Sequence, residues 1–250
     1  AVNATVPAVT AAEVPGVLAR FPGCRTAKVK VAERGQTLAD DVARVRAVRE
    51  QLGDDALVRI DANGGWTLDE AETALRALAE FDLDYAEQPC ATVAELAELR
   101  HRAPGVRIAA DESVRKTTDP LAVARAGAAD LLVIKAQPLG GIARAREVVR
   151  EAGLPVIVSS ALDTSVGIAM GLHLAAALDD GQLAGACGLG TVALLAGDVT
   201  QESLVPVEGG ITVRRPRLDA GLLARFQAPP NRDAWWRERL TRCYAELTRG

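Results

Sequence analysis

Three acidic residues stand at the ends of short apolar runs, where buried strands would finish. Asp61 lies in ALVRIDAN, Glu87 in LDYAEQP and Asp111 in VRIAADES. In a barrel, residues two apart on a strand share a face, so these acids would face the interior at the carboxyl end, where barrel active sites lie. Three converging carboxylates repel one another unless a cation lies among them, and Mg²⁺ prefers such oxygen ligands. The sequence therefore predicts a magnesium site.

Three lysines would complete this site. Lys28 and Lys30 lie two apart in TAKVKVA and so share a face, and Lys135 ends the apolar run DLLVI. A closed barrel has no sheet edge at which to solvate such a pair, which favours an inward orientation. The ammonium groups would then flank the acids from opposite sides of the cavity.

This combination suits removal of a proton from the carbon next to a carboxylate. The resulting enediolate carries two negative charges, which a divalent metal stabilises as a Lewis acid. A lysine acts as the base only when it is neutral, and nearby positive charge promotes that state by lowering its pKa.

The elements that would position these residues alternate between strand and helix. Eight strand-like runs are VNATVPA, TAKVKVA, ALVRIDAN, LDYAEQP, VRIAADES, DLLVIKAQP, PVIVSSA and, less clearly, LAGACGLG. Helices are predicted over 37–52, 67–81, 92–101, 119–127, 142–153 and 166–178, several with Thr or Asp as N-cap, and Thr92 with Glu95 fits a capping box. Such repetition favours parallel strands with right-handed crossovers, and eight units close into a (β/α)8 barrel.

The repeat ends after Thr191. VPVEGGITVRRPRL resembles a hairpin, and the segment from Asn231 resembles one final amphipathic helix, without a low-complexity linker. We therefore predict a barrel catalytic domain over 1–203 and a C-terminal segment over 204–250 that packs on it.

Composition excludes several classes. With 250 residues, 49% of them hydrophobic, and a net charge of −4, the chain has a core of enzyme size and no basic excess for nucleic acid. The longest nearly uncharged run, from Val166, is too short to cross a bilayer, and no secretory signal precedes the barrel. We expect a cytoplasmic protein with a small-molecule partner and neither nucleic acid nor membrane. The sequence does not specify the oligomeric state.

Other residue types favour packing roles. The cysteines are scattered without metal-ligand spacing, which favours reduced thiols (Cys24, Cys90, Cys187, Cys243). His173 is expected to be a hydrogen-bonded core residue, and Trp235 and Trp236 are expected to anchor the last helix. Trp66 at the barrel mouth is a candidate for ligand contact as much as for packing, and Asn63 is either a turn residue or a substrate-orienting one.

The motifs AKVKV, RIDANGGW, YAEQPC, AADES and VIKAQPLGG resemble those of the enolase superfamily, muconate-lactonizing subgroup. With VSSALDTSVG and ACGLGT, the chain is most similar to the actinobacterial o-succinylbenzoate synthases. The resemblance runs from the first to the eighth strand, over seven motifs in order.

The resemblance implies a role for each charged residue. Asp61, Glu87 and Asp111 would bind Mg²⁺, with Mn²⁺ as a substitute. Lys30 would remove the α-proton and then protonate the departing hydroxide on the same face. Lys135 would stabilise the enediolate from across the ring, and Lys28 would tune Lys30 or contact the substrate carboxylate.

The implied reaction is syn dehydration of 2-succinyl-6-hydroxy-2,4-cyclohexadiene-1-carboxylate to o-succinylbenzoate, in menaquinone biosynthesis. Ser159 and Ser160 would bind the succinyl carboxylate, one by its side chain and the other by its backbone N–H. The resemblance also implies an N-terminal α+β capping domain, which is largely missing from this chain.

Three alternatives remain. An N-acylamino acid racemase or dipeptide epimerase would use Lys30 and Lys135 as bases on opposite faces. A barrel without its cap would bind metal and turn nothing over. A Schiff-base aldolase would use Lys135 as its nucleophile.

Overall fold

A computed structural model describes residues 1–103, 105–115 and 119–248. Within them, seven parallel strands pair in chain order, each with the next. The strands are β1 (Ala4–Val6), β2 (Thr26–Lys30), β3 (Leu57–Asp61), β4 (Leu83–Glu87), β5 (Ile108–Ala110), β6 (Leu131–Ile134) and β7 (Val156–Val158). All seven fall inside the predicted runs and are shorter than them.

The predicted eighth strand is wrong as an element of regular structure. Its segment, 183–190, forms only isolated parallel bridges. Leu183 pairs with Val156 of β7, Gly188 pairs with Ser159 just after β7, and Cys187 pairs with Val2. Glycines interrupt the run, and Gly185 has a φ of 144°, outside the strand region. The segment nevertheless lies between the last strand and the first, so that the barrel closes.

Helices fill the intervals between strands. They are α1 (Val14–Leu18), α2 (Leu38–Leu52), α3 (Leu68–Leu78), α4 (Val93–Arg102), α5 (Glu112–Arg115), α6 (Ala122–Arg125), α7 (Ile142–Ala152) and α8 (Ser165–Ala176). The helix predicted over 119–127 is wrong in length, since only α6 forms there. The other five are confirmed to within two or three residues, except that the last turn predicted after residue 78 is a 3₁₀ turn (Ala79–Phe81).

Threonine caps fix where the helices begin. Capping boxes open α2, α3 and α4, so that each threonine hydroxyl accepts a backbone N–H while the acid three residues on accepts from the threonine N–H (Thr37 with Asp40, Thr67 with Glu70, Thr92 with Glu95). Each helix therefore begins at a defined distance beyond its strand.

The alternation of side chains along the strands is confirmed. Val58 and Ile60 pack in the core between strands and helices, whereas Arg59 and Asp61 face the barrel interior. A second apolar cluster fills the interior beneath the carboxyl ends (Tyr85, Ala109, Leu131, Val133, Ile157). Arg59 lies over the ring of Tyr85, 4.8 Å from its centroid, and donates to Asp84. These residues fill the interior of the barrel.

The C-terminal segment is divided in its packing. Its first part is joined to the barrel, because Leu204 is buried, Gly209 accepts from the N–H of Val2 and its own N–H donates to Pro22. The predicted hairpin is reduced to one bridge between Val207 and Gly210. The domain boundary at residue 203 stays a prediction.

Two helices complete this segment, α9 (Ala220–Arg225), which was not predicted, and α10 (Pro230–Leu247). The expectation that Trp235 and Trp236 anchor the last helix is wrong, because α10 buries none of its residues and the two indoles are 41% and 55% exposed. The i, i+3, i+4 apolar pattern indicated a buried stripe, but that stripe points to solvent. Among the described residues, no helix is long and apolar enough to span a bilayer.

Candidate active site

A cavity of about 530 Å³ opens at the carboxyl ends of the strands. Its polar wall carries lysines from β2 and from the residue after β6, and an acid from the end of β3. Its other wall carries hydroxyl and apolar groups from the ends of β1 and β7 and from residues 188–194. The lining residues are Thr5, Pro7, Lys28, Lys30, Asp61, Asn63, Arg115, Lys135, Ser159, Ser160, Ala161, Leu162, Gly188, Thr191 and Leu194.

Of the predicted carboxylates, Asp61 lines the cavity, and Glu87 and Asp111 are buried against the lining residues Lys28 and Lys135. Asp61 and Glu87 are register partners on β3 and β4, and Asp111 follows β5 two positions beyond the partner of Glu87. All three are at most 1% exposed. The Lys28 ammonium joins two of them, with its Nζ 2.9 Å from Asp61 Oδ2 and 2.8 Å from Glu87 Oε1.

Asp111 has its own cationic partners. Lys135 Nζ donates to its Oδ2 at 2.6 Å, and Arg115 Nε donates to its Oδ1 at 2.9 Å. Its backbone N–H donates to the amide oxygen of Gln88, which fixes the start of the β5 loop to the end of β4. With Lys30 included, three acids and four basic side chains form two groups, which Asn63 and Glu112 link.

The pKa values of Glu87 and Asp61 shift in opposite directions. Burial, reinforced by repulsion from Asp61 and Asp111, raises the pKa of Glu87 to about 8 despite the attraction of Lys28. Burial acts in the same direction on Asp61, but Lys28 and Lys30 outweigh it and hold the pKa of that carboxyl well below its usual range. Glu87 Oε2 is buried without a hydrogen-bond partner.

These groups fit a divalent cation. In the described part of the chain, no three acids converge on one point as the side chains stand, because each is drawn to a lysine or arginine. Glu87 Oε2 is buried without a partner, and Asp61 and Asp111 repel the Glu87 carboxylate, so a cation at this oxygen would be stabilised. Carboxylate oxygens in this number are what Mg²⁺ prefers.

The lysines face inward, as predicted. Lys30 Nζ donates to Asp61 Oδ2 at 2.5 Å and to Asn63 Oδ1 at 2.6 Å. Its side chain is 30% exposed, against 9% and 8% for Lys28 and Lys135, so it is the most accessible of the three to a ligand. The chain has only four lysines, and three of them line this cavity. The small number of lysines was a further sequence signal for this site, one that motif spacing did not use.

Lys28 is not suited to act as a base. Burial disfavours its charge, but Asp61 and Glu87 outweigh that effect and raise its pKa well above the usual value. Lys28 is a fixed cation between two acids.

Asn63 is a turn residue, as one of the two predictions for it had it, and it also contacts Lys30. It adopts a left-handed conformation with a φ of 48°, as a turn residue does, and its side chain also accepts from Lys30. Its Nδ2 donates to Glu112 Oε1 at 3.2 Å. Asn63 thus orients the lysine from the turn that follows β3.

Both serines line the opposite wall, but the predicted use of a backbone N–H is wrong. The N–H of Ser159 donates to Ile134 O and that of Ser160 to Gly188 O, since both continue the parallel ladder. Ser160 Oγ lies 2.8 Å from Gly188 O and from Thr191 Oγ1. Thr191, within the quoted motif ACGLGT, is a cavity residue that sequence reasoning missed.

Gly188 has no room for a side chain. A Cβ there would lie 2.5 Å from Ser159 Oγ and 3.2 Å from its Cβ. We expect Gly188→Ala to displace Ser159 and weaken ligand binding by about 10-fold, while magnesium affinity stays unchanged because the acids lie on the other wall. Parallel calorimetric titrations with Mg²⁺ and with o-succinylbenzoate test this. Equal loss of both affinities would contradict a local effect.

The remaining candidates lie elsewhere. Trp66 lines a separate cavity of about 470 Å³ between the starts of α2 and α3, so it is not part of this site. His173 Nδ1 lies 2.7 Å from Ala169 O within α8, in agreement with a structural role. Three cysteines are buried and one is exposed (Cys24, Cys90 and Cys187; Cys243). Arg115, absent from the predictions, contributes to the polar wall.

Comparison with known proteins places this geometry in a family. Residues 12–222 match the family model for enolase C-terminal domain-like proteins. The chain is 57% identical over 98% of its length to o-succinylbenzoate synthase of Mycobacterium tuberculosis H37Rv, and equally identical, also over 98%, to that of Mycolicibacterium smegmatis. It belongs to the o-succinylbenzoate synthase family.

The chain spans 74% of the length of these two o-succinylbenzoate synthases. Its fold is that of a solved relative, the 2-chloromuconate cycloisomerase of Rhodococcus opacus 1CP, with a TM-score of 0.80 and 29% identity. That match covers 91% of this chain and 64% of the other. The (β/α) barrel class predicted for this o-succinylbenzoate synthase family member is confirmed.

Proposed function

We propose that the chain catalyses syn dehydration of 2-succinyl-6-hydroxy-2,4-cyclohexadiene-1-carboxylate to o-succinylbenzoate, as a magnesium-dependent hydro-lyase. The observation that carries the proposal is the cavity itself, in which Lys30 and Lys135 lie on opposite strands around buried acids. The identity to named o-succinylbenzoate synthases supports this choice of substrate.

Asp61, Glu87 and Asp111 are the proposed ligands of Mg²⁺, with Mn²⁺ as a substitute. When bound, the ion supplies Lewis-acid stabilisation of negative charge on the substrate carboxylate. The side chains of this chain do the remaining work of binding, orientation and proton transfer.

Lys30 is the proposed acid and base. Its neutral amine takes the proton from the carbon next to the carboxylate, and the electron pair of that C–H bond enters the enediolate. The pair then returns to form the ring double bond as the C–O bond to the hydroxyl breaks, and Lys30 delivers the proton to the leaving hydroxide as water. Asn63 and Asp61 hold its Nζ at 2.6 and 2.5 Å for both transfers.

Lys135 is the proposed electrostatic partner. It projects from β6, across the cavity from β2, and its side chain is 8% exposed. Its Nζ, held by Asp111, presents a positive charge to the enediolate on the face opposite Lys30.

The remaining groups are proposed to bind the substrate. Lys28, fixed as a cation, would attract the ring carboxylate. Ser159 and Ser160 would present hydroxyls to the succinyl carboxylate, with the Thr191 hydroxyl beside them. Neither serine contributes its backbone N–H, since both are occupied.

The placement of lysines on two opposite strands also favours racemisation or epimerisation of an N-acylamino acid or dipeptide. Solvent-deuterium exchange into a chiral substrate separates the two functions. A one-base dehydratase exchanges one enantiomer selectively, whereas a two-base racemase exchanges both.

A thermal-shift measurement tests the proposed ligands directly. Mg²⁺ and o-succinylbenzoate together, each near 100 times its Kd, should stabilise the fold by at least about 2.7 kcal/mol, or about 5–10 °C in Tm. Each ligand alone serves as the control. No shift with the pair, or the same shift with unsubstituted benzoate, would contradict the substrate assignment.

A further inference from the structure

The carboxyl end of β2, which carries Lys30, pairs with β3 on one side but lacks backbone pairing on the side of β1. The β1–β2 ladder ends at the pair Val6–Val29, one residue before Lys30, so no backbone N–H of β1 reaches the carbonyl of Lys30. The carbonyl of Lys30 therefore needs another donor.

Arg44, on α2, supplies that donor. Its Nη1 donates to Lys30 O at 2.8 Å, and its Nε donates to Val9 O at 2.5 Å. Its Nη2 donates to Gln36 Oε1, whose amide in turn donates to Ala8 O at 2.8 Å. One guanidinium thus joins the ends of β1 and β2 beyond their last ladder pair.

Asp41 completes the arrangement on the other side of Lys30. Its Oδ1 accepts from Arg44 Nη1 at 2.8 Å, and its Oδ2 accepts from the N–H of Ala32 at 3.0 Å. Ala32 has a φ of 60°, a left-handed conformation that a non-glycine residue holds only when its surroundings fix it. The pair therefore holds the backbone at residues 30 and 32 by hydrogen bonds.

The pair is buried, with side chains 1% and 3% exposed for Arg44 and Asp41. A buried ion pair stabilises less than its contacts suggest, because both charges lose their hydration. Three of the four hydrogen bonds that it makes to other residues are instead directed at backbone groups, at Val9, Lys30 and Ala32. Such fixed geometry is what a proton-transfer group requires.

We propose that the buried Asp41–Arg44 pair positions Lys30 for proton transfer by fixing its backbone. Neither residue lines the lysine cavity, so both are positioning residues and not catalytic ones. The inference rests on the proposed role of Lys30.

The same helix offers a matched control in Arg49. Its Nη1 donates to Ala56 O and its Nη2 to Phe81 O, both at 2.6 Å. It therefore grips backbone carbonyls as Arg44 does, but just before β3 and β4, at the end of the barrel away from the cavity.

The experiment compares Arg44→Lys with Arg49→Lys. Lysine keeps the charge but loses the planar fork, so each variant loses carbonyl contacts and some stability. We expect Arg44→Lys to lower kcat about 10- to 100-fold with little change in KM or in magnesium affinity, because only the orientation of Lys30 changes. Arg49→Lys should keep wild-type kcat at a comparable loss in Tm. Asp41→Asn should lower kcat in the same direction, and it replaces Arg44→Lys should that variant not fold.

A second readout does not depend on turnover. In chains labelled with ¹³Cε-lysine, the Lys30 resonance is assigned by its loss in Lys30→Arg. It should shift in Arg44→Lys and Asp41→Asn and stay in place in Arg49→Lys. Wild-type kcat with an unmoved resonance in the Arg44 and Asp41 variants, or equal kcat losses in both arginine variants, would overturn the proposal. An inactive wild-type chain would contradict the proposed dehydration instead, while the resonance would still test the positioning.

Discussion

Replacing Lys30 with alanine should abolish dehydration while the chain still binds magnesium. The lysine is the most exposed of the three and is therefore the best placed to exchange a proton with solvent and substrate. General acid–base catalysis contributes about 10²- to 10⁴-fold, and one residue performs both transfers here, so kcat should fall by at least about 10³-fold. Steady-state assays of o-succinylbenzoate formation measure this.

Magnesium affinity provides the control for Lys30→Ala. Lys28 still compensates Asp61 and Glu87 in the variant, so the acids keep their arrangement and the Kd for Mg²⁺ should change little. Lys30→Arg keeps the positive charge and should be equally inactive, because arginine does not give up its proton near neutral pH. Turnover near the wild-type rate in either variant would remove Lys30 from the mechanism.

Replacing Glu87 with glutamine should weaken magnesium binding before it affects anything else. Glutamine keeps the shape and can still accept from Lys28, but it removes the carboxylate charge and the buried oxygen that has no partner. We expect the Kd for Mg²⁺ to rise by at least about 10- to 100-fold, since a change in the surroundings of a ligand alone has effects of that size. Isothermal titration with Mg²⁺ measures it, and turnover should recover in part at high magnesium.

Glu95 offers a matched control on the same strand-to-helix connection. Glu95→Gln makes the same isosteric change in an exposed capping box, where glutamine also serves as a cap. Its magnesium affinity should equal that of the wild type. A Glu87→Gln chain with unchanged Kd would refute the ligand assignment.

The sequence revealed the charged wall because strand geometry has a period of two. Once Asp61, Glu87 and Lys28 were placed on apolar strands, their facing followed from their neighbours, whatever the tertiary details. The same rule carried Lys30 and Lys135 to the cavity. Because one face of each strand is buried, the orientation of these side chains could be predicted from the sequence alone.

Other features depended on contacts that no local pattern encodes. Arg44 occupies a helix among many other arginines, and nothing in its neighbourhood distinguishes a buried guanidinium from a solvated one. The apolar stripe of α10, with Trp236, has the period of a packed helix, yet periodicity states which residues share a face and not what covers it. One of Ser159 and Ser160 was expected to offer its N–H to a ligand, but both N–H groups donate to carbonyls of neighbouring segments, Ile134 and Gly188, a pairing that no local pattern encodes.

The segment that closes the barrel, residues 183–190, pairs more sparsely with its neighbours than the strands do with theirs. It shares one bridge with the chain just before β1, at Val2, whereas every pair of neighbouring strands shares at least two register pairs. Local opening of a fold begins where backbone pairing is sparsest. We therefore expect the wall with the hydroxyl groups to open locally, while the wall with the acids and lysines stays rigid. We expect the ligand to enter on the side that opens, while the charged groups on the other side keep their positions.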